Sequence, residues 1–110
     1  MIAVKLINYL EMALDVGVYM EQPEQLTSYI LLDQTGSSET EHIKTTTIAV
    51  QSYAPTLYEA MTMNEAVKDA MTGFVAHKDV TKVELETDYN FTDTATKQYR
   101  WQAVYHITHY

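Results

Sequence analysis

Between Val83 and Ile107 one period is written twice. Val83, Leu85, Thr87, Tyr89 and Phe91 alternate with Glu84, Glu86, Asp88 and Asn90. After the polar stretch Thr92–Lys97, the residues Tyr99, Trp101, Ala103, Tyr105 and Ile107 alternate in the same way. A period of two sends successive side chains to opposite faces, so each run reads as a strand with one apolar and one solvated face. The polar stretch between them reads as a hairpin loop. Both apolar sets must share a face, and both are odd-numbered, so opposed residues sum to an even number. A sum near 190 puts Leu85 opposite Tyr105 and Tyr89 opposite Trp101.

The rest of the chain supplies what covers that hairpin. Val4, Leu6, Ile7, Leu10 and Leu14 have helical spacing, which predicts an amphipathic helix over Ile2 to Leu14. Asp15 and Gly17 end it, with Gly17 as the expected left-handed cap. Val18–Met20 predicts a short strand, Pro23 a turn, and Ser28 to Asp33 a further strand. The run Gln34 to His42 holds a glycine, two serines and two glutamates and reads as a loop or flexible hairpin tip. Lys44 to Tyr53 is the next strand, with Ile48 and Val50 on one face. Thr56 and Glu59 have capping-box spacing beside Pro55. They open a helix whose stripe is Ala60, Met63, Val67, Ala70, Met71 and Phe74. The expected fold is α+β: one domain over residues 1–110, a single antiparallel sheet, mixed at the edge, with two helices packed on one face.

Composition narrows the function. There are no cysteines, so disulfides, thiolate metal sites and a cysteine nucleophile are absent. The net charge of -8 argues against binding nucleic acid by counterion release. No apolar run approaches the ~20 residues of a membrane span. Met1–Leu14 carries Lys5, Asn8 and Glu11 and lacks the basic start and small-residue cleavage site of a secretory signal. The three glycines are scattered, so no phosphate-cradling loop is formed, and there is no G-x-S-x-G elbow. His106 and His109, three apart on a strand, fall on opposite faces and do not make a metal pair. Asp88–Asp93 begins like a calcium loop but lacks the glycine and the closing glutamate. No catalytic, cofactor or metal residues are assigned, and an enzyme is not expected. Glu84, Glu86 and Asp88 form a solvated acidic face suited to assembly. Gly36, Ser37, Ser38, Glu39, Thr40 and Glu41 form a partner-contact loop, and deleting Ser37–Thr40 is expected to leave folding intact. Tyr58 and Tyr110 are the tyrosines expected at interfaces.

Two long runs carry a family resemblance. They are Thr46-Thr-Ile-Ala-Val-Gln-Ser-Tyr-Ala-Pro-Thr-Leu-Tyr-Glu-Ala60 and Asp88-Tyr-Asn-Phe-Thr-Asp-Thr-Ala-Thr-Lys-Gln-Tyr-Arg-Trp-Gln-Ala-Val-Tyr105. With the first helix and Tyr29-Ile-Leu-Leu-Asp-Gln-Thr-Gly36, they resemble tail terminators of long-tailed phages of Gram-positive bacteria, also called tail completion or minor tail proteins. The likeness covers nearly the whole chain and lies in framework residues. It implies a virion protein of a siphophage, assembled in the host cytoplasm and placed at the head-proximal end of the tail. Such a subunit forms a homohexameric ring that caps the tail tube, stops its polymerisation and joins it to the head–tail connector or stopper protein. DNA passes through the ring without specific binding, and no membrane or cofactor is involved. On this reading Glu84, Glu86 and Asp88 line or border the lumen. The alternatives are a head–tail connector or head completion subunit, and, in another class, a non-catalytic cytosolic ligand-binding module.

Overall fold

The computed structural model describes residues 1–110. Its elements run α1 (Ile2–Leu14), β1 (Val18–Tyr19), β2 (Tyr29–Thr40), β3 (Ile43–Ala54), α2 (Leu57–Gly73), a 3₁₀ turn at Phe74–Ala76, β4 (Val80–Asn90) and β5 (Tyr99–His109). The fold is α+β, with one five-stranded sheet in the order β1-β2-β3-β5-β4. All neighbours are antiparallel except the edge pair β1 and β2. Because β3 and β4 each run antiparallel to β5, they are parallel to one another. The α2 crossover joins them, leaving a gap that β5 fills.

Both helices lie on one face of the sheet. α1 buries Ile2, Ala3, Leu6 and Leu10, at steps of one, three and four, and α2 buries Ala60, Val67 and Met71. These meet Ile30, Leu32, Ile48, Val50, Ala103, Tyr105 and Ile107 from the sheet, with Phe74 closing the end. At ~25 cal/mol per Å² of apolar surface, each of these large side chains contributes about 1.5–3 kcal/mol of burial. Thr56 caps α2: its hydroxyl accepts the Glu59 N–H at 3.2 Å. α1 ends differently from expectation. Asp15, not Gly17, takes the left-handed conformation, with φ 52°, and its N–H bonds to the Glu11 carbonyl. Gly17 leaves room for the Tyr19 ring instead, since a Cβ there would lie 2.5 Å from the Tyr19 hydroxyl unless that side chain moved.

Two further expectations are corrected. Gln34–His42, expected as a loop or hairpin tip, is the outer part of a hairpin, and most of it is strand. β2 continues to Thr40, and its partner begins at Ile43 after a two-residue turn at Glu41 and His42. Both turn residues have positive φ, 52° and 69°, the twist that two-residue hairpins require. An irregularity between Gln34 and Gly36 shifts the register within the ribbon. Gly36 through Glu41 therefore form a strand and its turn.

The β4–β5 register also departs from a single even sum. Leu85 opposes Tyr105 as expected, but a bulge between Leu85 and Thr87 then shifts the pairing by one. Tyr89 faces Gln102, and Trp101 faces Asn90. One extra residue in a strand reverses the faces of everything beyond it. Tyr89 is thereby moved to the sheet face away from the helices, and Asp88 is moved beneath them.

Candidate functional site

The three carboxylates expected on one acidic face are divided by the bulge. Glu84 lies opposite His106 on the helix-free face, and the Glu86 carboxylate reaches the same imidazole, Nε2 to Oε1 at 2.7 Å. Asp88 lies opposite Ala103 and faces α2. Its Oδ2 accepts from Asn64 Nδ2 at 2.9 Å and Trp101 Nε1 at 3.3 Å, and it pairs with Lys68 Nζ at 3.1 Å. Burial pushes the Asp88 carboxyl upward, but the hydrogen bonds from Lys68 and Asn64 together outweigh it and hold it below the usual range. Lys68 is raised in return, first by Glu65 and then by Asp88. Asp88 is thus a clasp between α2 and the sheet, while Glu84 and Glu86 remain solvated.

Five strand residues expected to contact a partner, Gly36, Ser37, Ser38, Glu39 and Thr40, lie with the turn residue Glu41 in the outer part of the β2–β3 hairpin, where β3 stays paired with β5 as far as Lys44. From Asp33 to Thr40 every β2 residue is exposed. β1 covers the outer edge of β2 only at Ile30 and Leu31. Beyond that, the strand presents unpaired backbone donors and acceptors along its outer side, the groups through which sheets join other chains. A Cβ added at Gly36 would meet nothing within 4 Å.

On the helix-free face, aromatic and amide groups are stitched together. Tyr29 stacks on Tyr53 with ring centroids 4.5 Å apart, and both are buried although no helix lies over them. The segment before β2 covers one side, with Gln22 Nε2 donating to the Tyr29 hydroxyl. Arg100 covers the other: its guanidinium lies 4.3 Å from the Phe91 ring centroid and donates to the Tyr53 hydroxyl at 2.8 Å. Tyr53 donates in turn to Gln51, which bonds Gln102 at 2.7 Å. A 420 Å³ cavity opens beside this stack, between Leu26, Tyr29, Tyr53, Pro55 and Tyr99. Thr96, Lys97 and Gln98 complete its wall, and no carboxylate or imidazole lines it.

One constellation with catalytic residue types is visible only in three dimensions. Thr47 Oγ1 lies 2.9 Å from His106 Nδ1, and Glu86 holds the other ring nitrogen. Hydroxyl, imidazole and carboxylate stand in the order that activates a nucleophile. The remaining requirements are unmet. Thr47 is mid-strand, paired on both sides with Gly36 and His106, so its amide belongs to the sheet. No cavity opens at the hydroxyl to seat a substrate. The trio is a cross-strand tie. Its sequence signal was the register that brings position 106 opposite 84; Glu86 reaches it only because of the bulge.

His109, on the other face, is buried and bonds Thr46 Oγ1 at 2.8 Å, so the two histidines do point apart. No group of three or more histidine or carboxylate side chains is placed to hold a metal ion. The Asp88–Asp93 segment is strand to Asn90 and then a turn, in which Asn90 Oδ1 accepts the Thr92 N–H at 3.0 Å. No helix is long and apolar enough to cross a membrane. Tyr58 and Tyr110 are both exposed. In comparison with known proteins, the chain matches no family model and no curated protein sequence.

Proposed function

We propose that this chain is a structural assembly subunit that forms a ring on the end of a phage tail tube, stops its growth and joins it to the head connector. The observation that carries the reading is the β2–β3 ribbon. A run of eight consecutive exposed strand residues adds little to the core of its own domain. Its conformation is nevertheless defined by a ladder to β3, broken once between Gln34 and Gly36, and by a two-residue turn. An ordered, polar strand with a free outer edge is suited to engaging a neighbouring subunit or the tube. The sequence likeness to tail terminators and the α+β fold support the same assignment. Glu84 and Glu86, solvated on the helix-free face, are the carboxylates proposed to border the lumen, where negative charge keeps DNA from adhering. Asp88, engaged by Asn64, Lys68 and Trp101, is left out of that surface.

Electron microscopy of purified tails tests this, with a label at the exposed C-terminal Tyr110. A ring of about six labels at the head-proximal end of the tube is the expected result. Label on the portal side would reassign the chain to the connector. A particle without label would remove the virion function altogether.

A further inference from the structure

A second surface, remote from the ribbon, lies where α1 ends beside the first turns of α2. Leu14, Val16, Tyr58, Met63 and Ala66 line a groove of 330 Å³, with Glu59 at its rim. Tyr58 is 78% exposed, a large aromatic side chain left in water on a helix that otherwise buries its apolar stripe inward. Exposed apolar grooves with adaptable methionine walls are characteristic of sites that receive an apolar anchor.

The charge around the groove is one-sided. Between Leu6 and Ile43, and again between Thr45 and Val67, the chain contains no lysine or arginine. The one lysine on each helix is already engaged, Lys5 with Asp79 and Lys68 with Glu65 and Asp88. No lysine or arginine lines the groove, and Glu11, Asp15 and Glu59 take part in no salt bridge. The last turn of α1 makes the imbalance larger. A helix C-terminus carries the negative end of the backbone dipole and favours cations, yet α1 ends without a base and is capped by an aspartate.

We infer that this groove docks an amphipathic helix of another protein, bearing lysine or arginine around apolar anchors. An apolar anchor would fill the space between Tyr58, Met63 and Leu14, while the basic residues answer Asp15, Glu59 and the α1 terminus. A second copy docking by this same face would bring Asp15 and Glu59 against their like, and no lysine or arginine lines the groove to answer them. The inference does not depend on the tail-capping reading, since it uses a different face and no ring geometry.

The test uses the full chain and a designed leucine–lysine amphipathic helical peptide, with a leucine–glutamate analogue as control. Binding is followed by amide NMR shifts. The lysine peptide is expected to perturb residues around Leu14, Val16, Tyr58 and Met63, and the glutamate peptide is expected not to bind. Tyr58→Ala, at an exposed position that the fold does not need, should weaken binding about 10-fold or more. Asp15→Asn with Glu59→Gln, which preserves the left-handed cap, should weaken it several-fold and flatten its salt dependence. No binding, shifts mapping elsewhere, equal binding of the glutamate peptide, or an unchanged affinity in Tyr58→Ala would each overturn the inference.

Discussion

Replacing Asp88 with alanine removes an acceptor on which three donors converge. Asn64 suffers most. It is 1% exposed, its Oδ1 already has no partner, and losing Asp88 strands its amide N–H as well. A buried polar group left unpaired costs about 1–3 kcal/mol. Lys68 is three-quarters covered at its side chain but keeps Glu65 at 3.0 Å, so its share is only that of a screened pair, ~0.5 kcal/mol. The indole N–H of Trp101 is half-buried and adds a similar amount. The total is about 2–4 kcal/mol, which for a domain of this size lowers Tm by about 10–15 °C.

Urea unfolding is the assay. Trp101 is the only tryptophan and sits in the clasp, so its fluorescence reports the transition. The pH dependence gives a second reading. The folded-state carboxyl is depressed below the ordinary value, so its stabilisation is complete above about pH 4 and is lost as pH falls through the lower folded-state value. The gap between parent and Asp88→Ala should therefore narrow on acidification. Asp88→Asn should cost less at neutral pH and lack this contribution. An Asp88→Ala protein within ~0.5 kcal/mol of the parent at pH 7 would refute the clasp, as would a gap that stays constant down to pH 2.

Three other outcomes follow from the packing. Trp101→Ala should cost about 2 kcal/mol by urea unfolding, below the ~3–5 kcal/mol of a fully buried aromatic, because the ring is only half-buried. Ser52→Ala should be neutral or stabilising by up to ~1 kcal/mol, since the Ser52 hydroxyl is fully buried with no hydrogen-bond partner. Glu41→Asn with His42→Gly should raise stability by about 1 kcal/mol, read as a higher Tm, because both positions are left-handed and the native residues bear the steric cost.

Periodicity located nearly every element because it is a local property. A helix stripe such as Leu6–Leu10 or an alternation such as Val83–Leu85 records which side faces the core, whatever lies there. Thr56 and Glu59 marked the start of α2 for the same reason: the cap bond spans three residues. The candidate surfaces were less legible. Gln34–Thr40 lacks an apolar period because every one of its side chains is exposed, so its composition matches that of a loop. Only the ladder to Ile43–Ile48 makes it a strand.

Read residue by residue, the chain already specifies an α+β domain with two inward-facing helices, a C-terminal hairpin, and an acidic composition without basic clusters. Tertiary structure alone decided where β4 changes face. A bulge is a relation between two strands, and alternation within one strand continues unbroken through it. That single shift at Glu86 puts Asp88 under α2 and leaves Glu84 and Glu86 in solvent, dividing three carboxylates that the sequence places side by side.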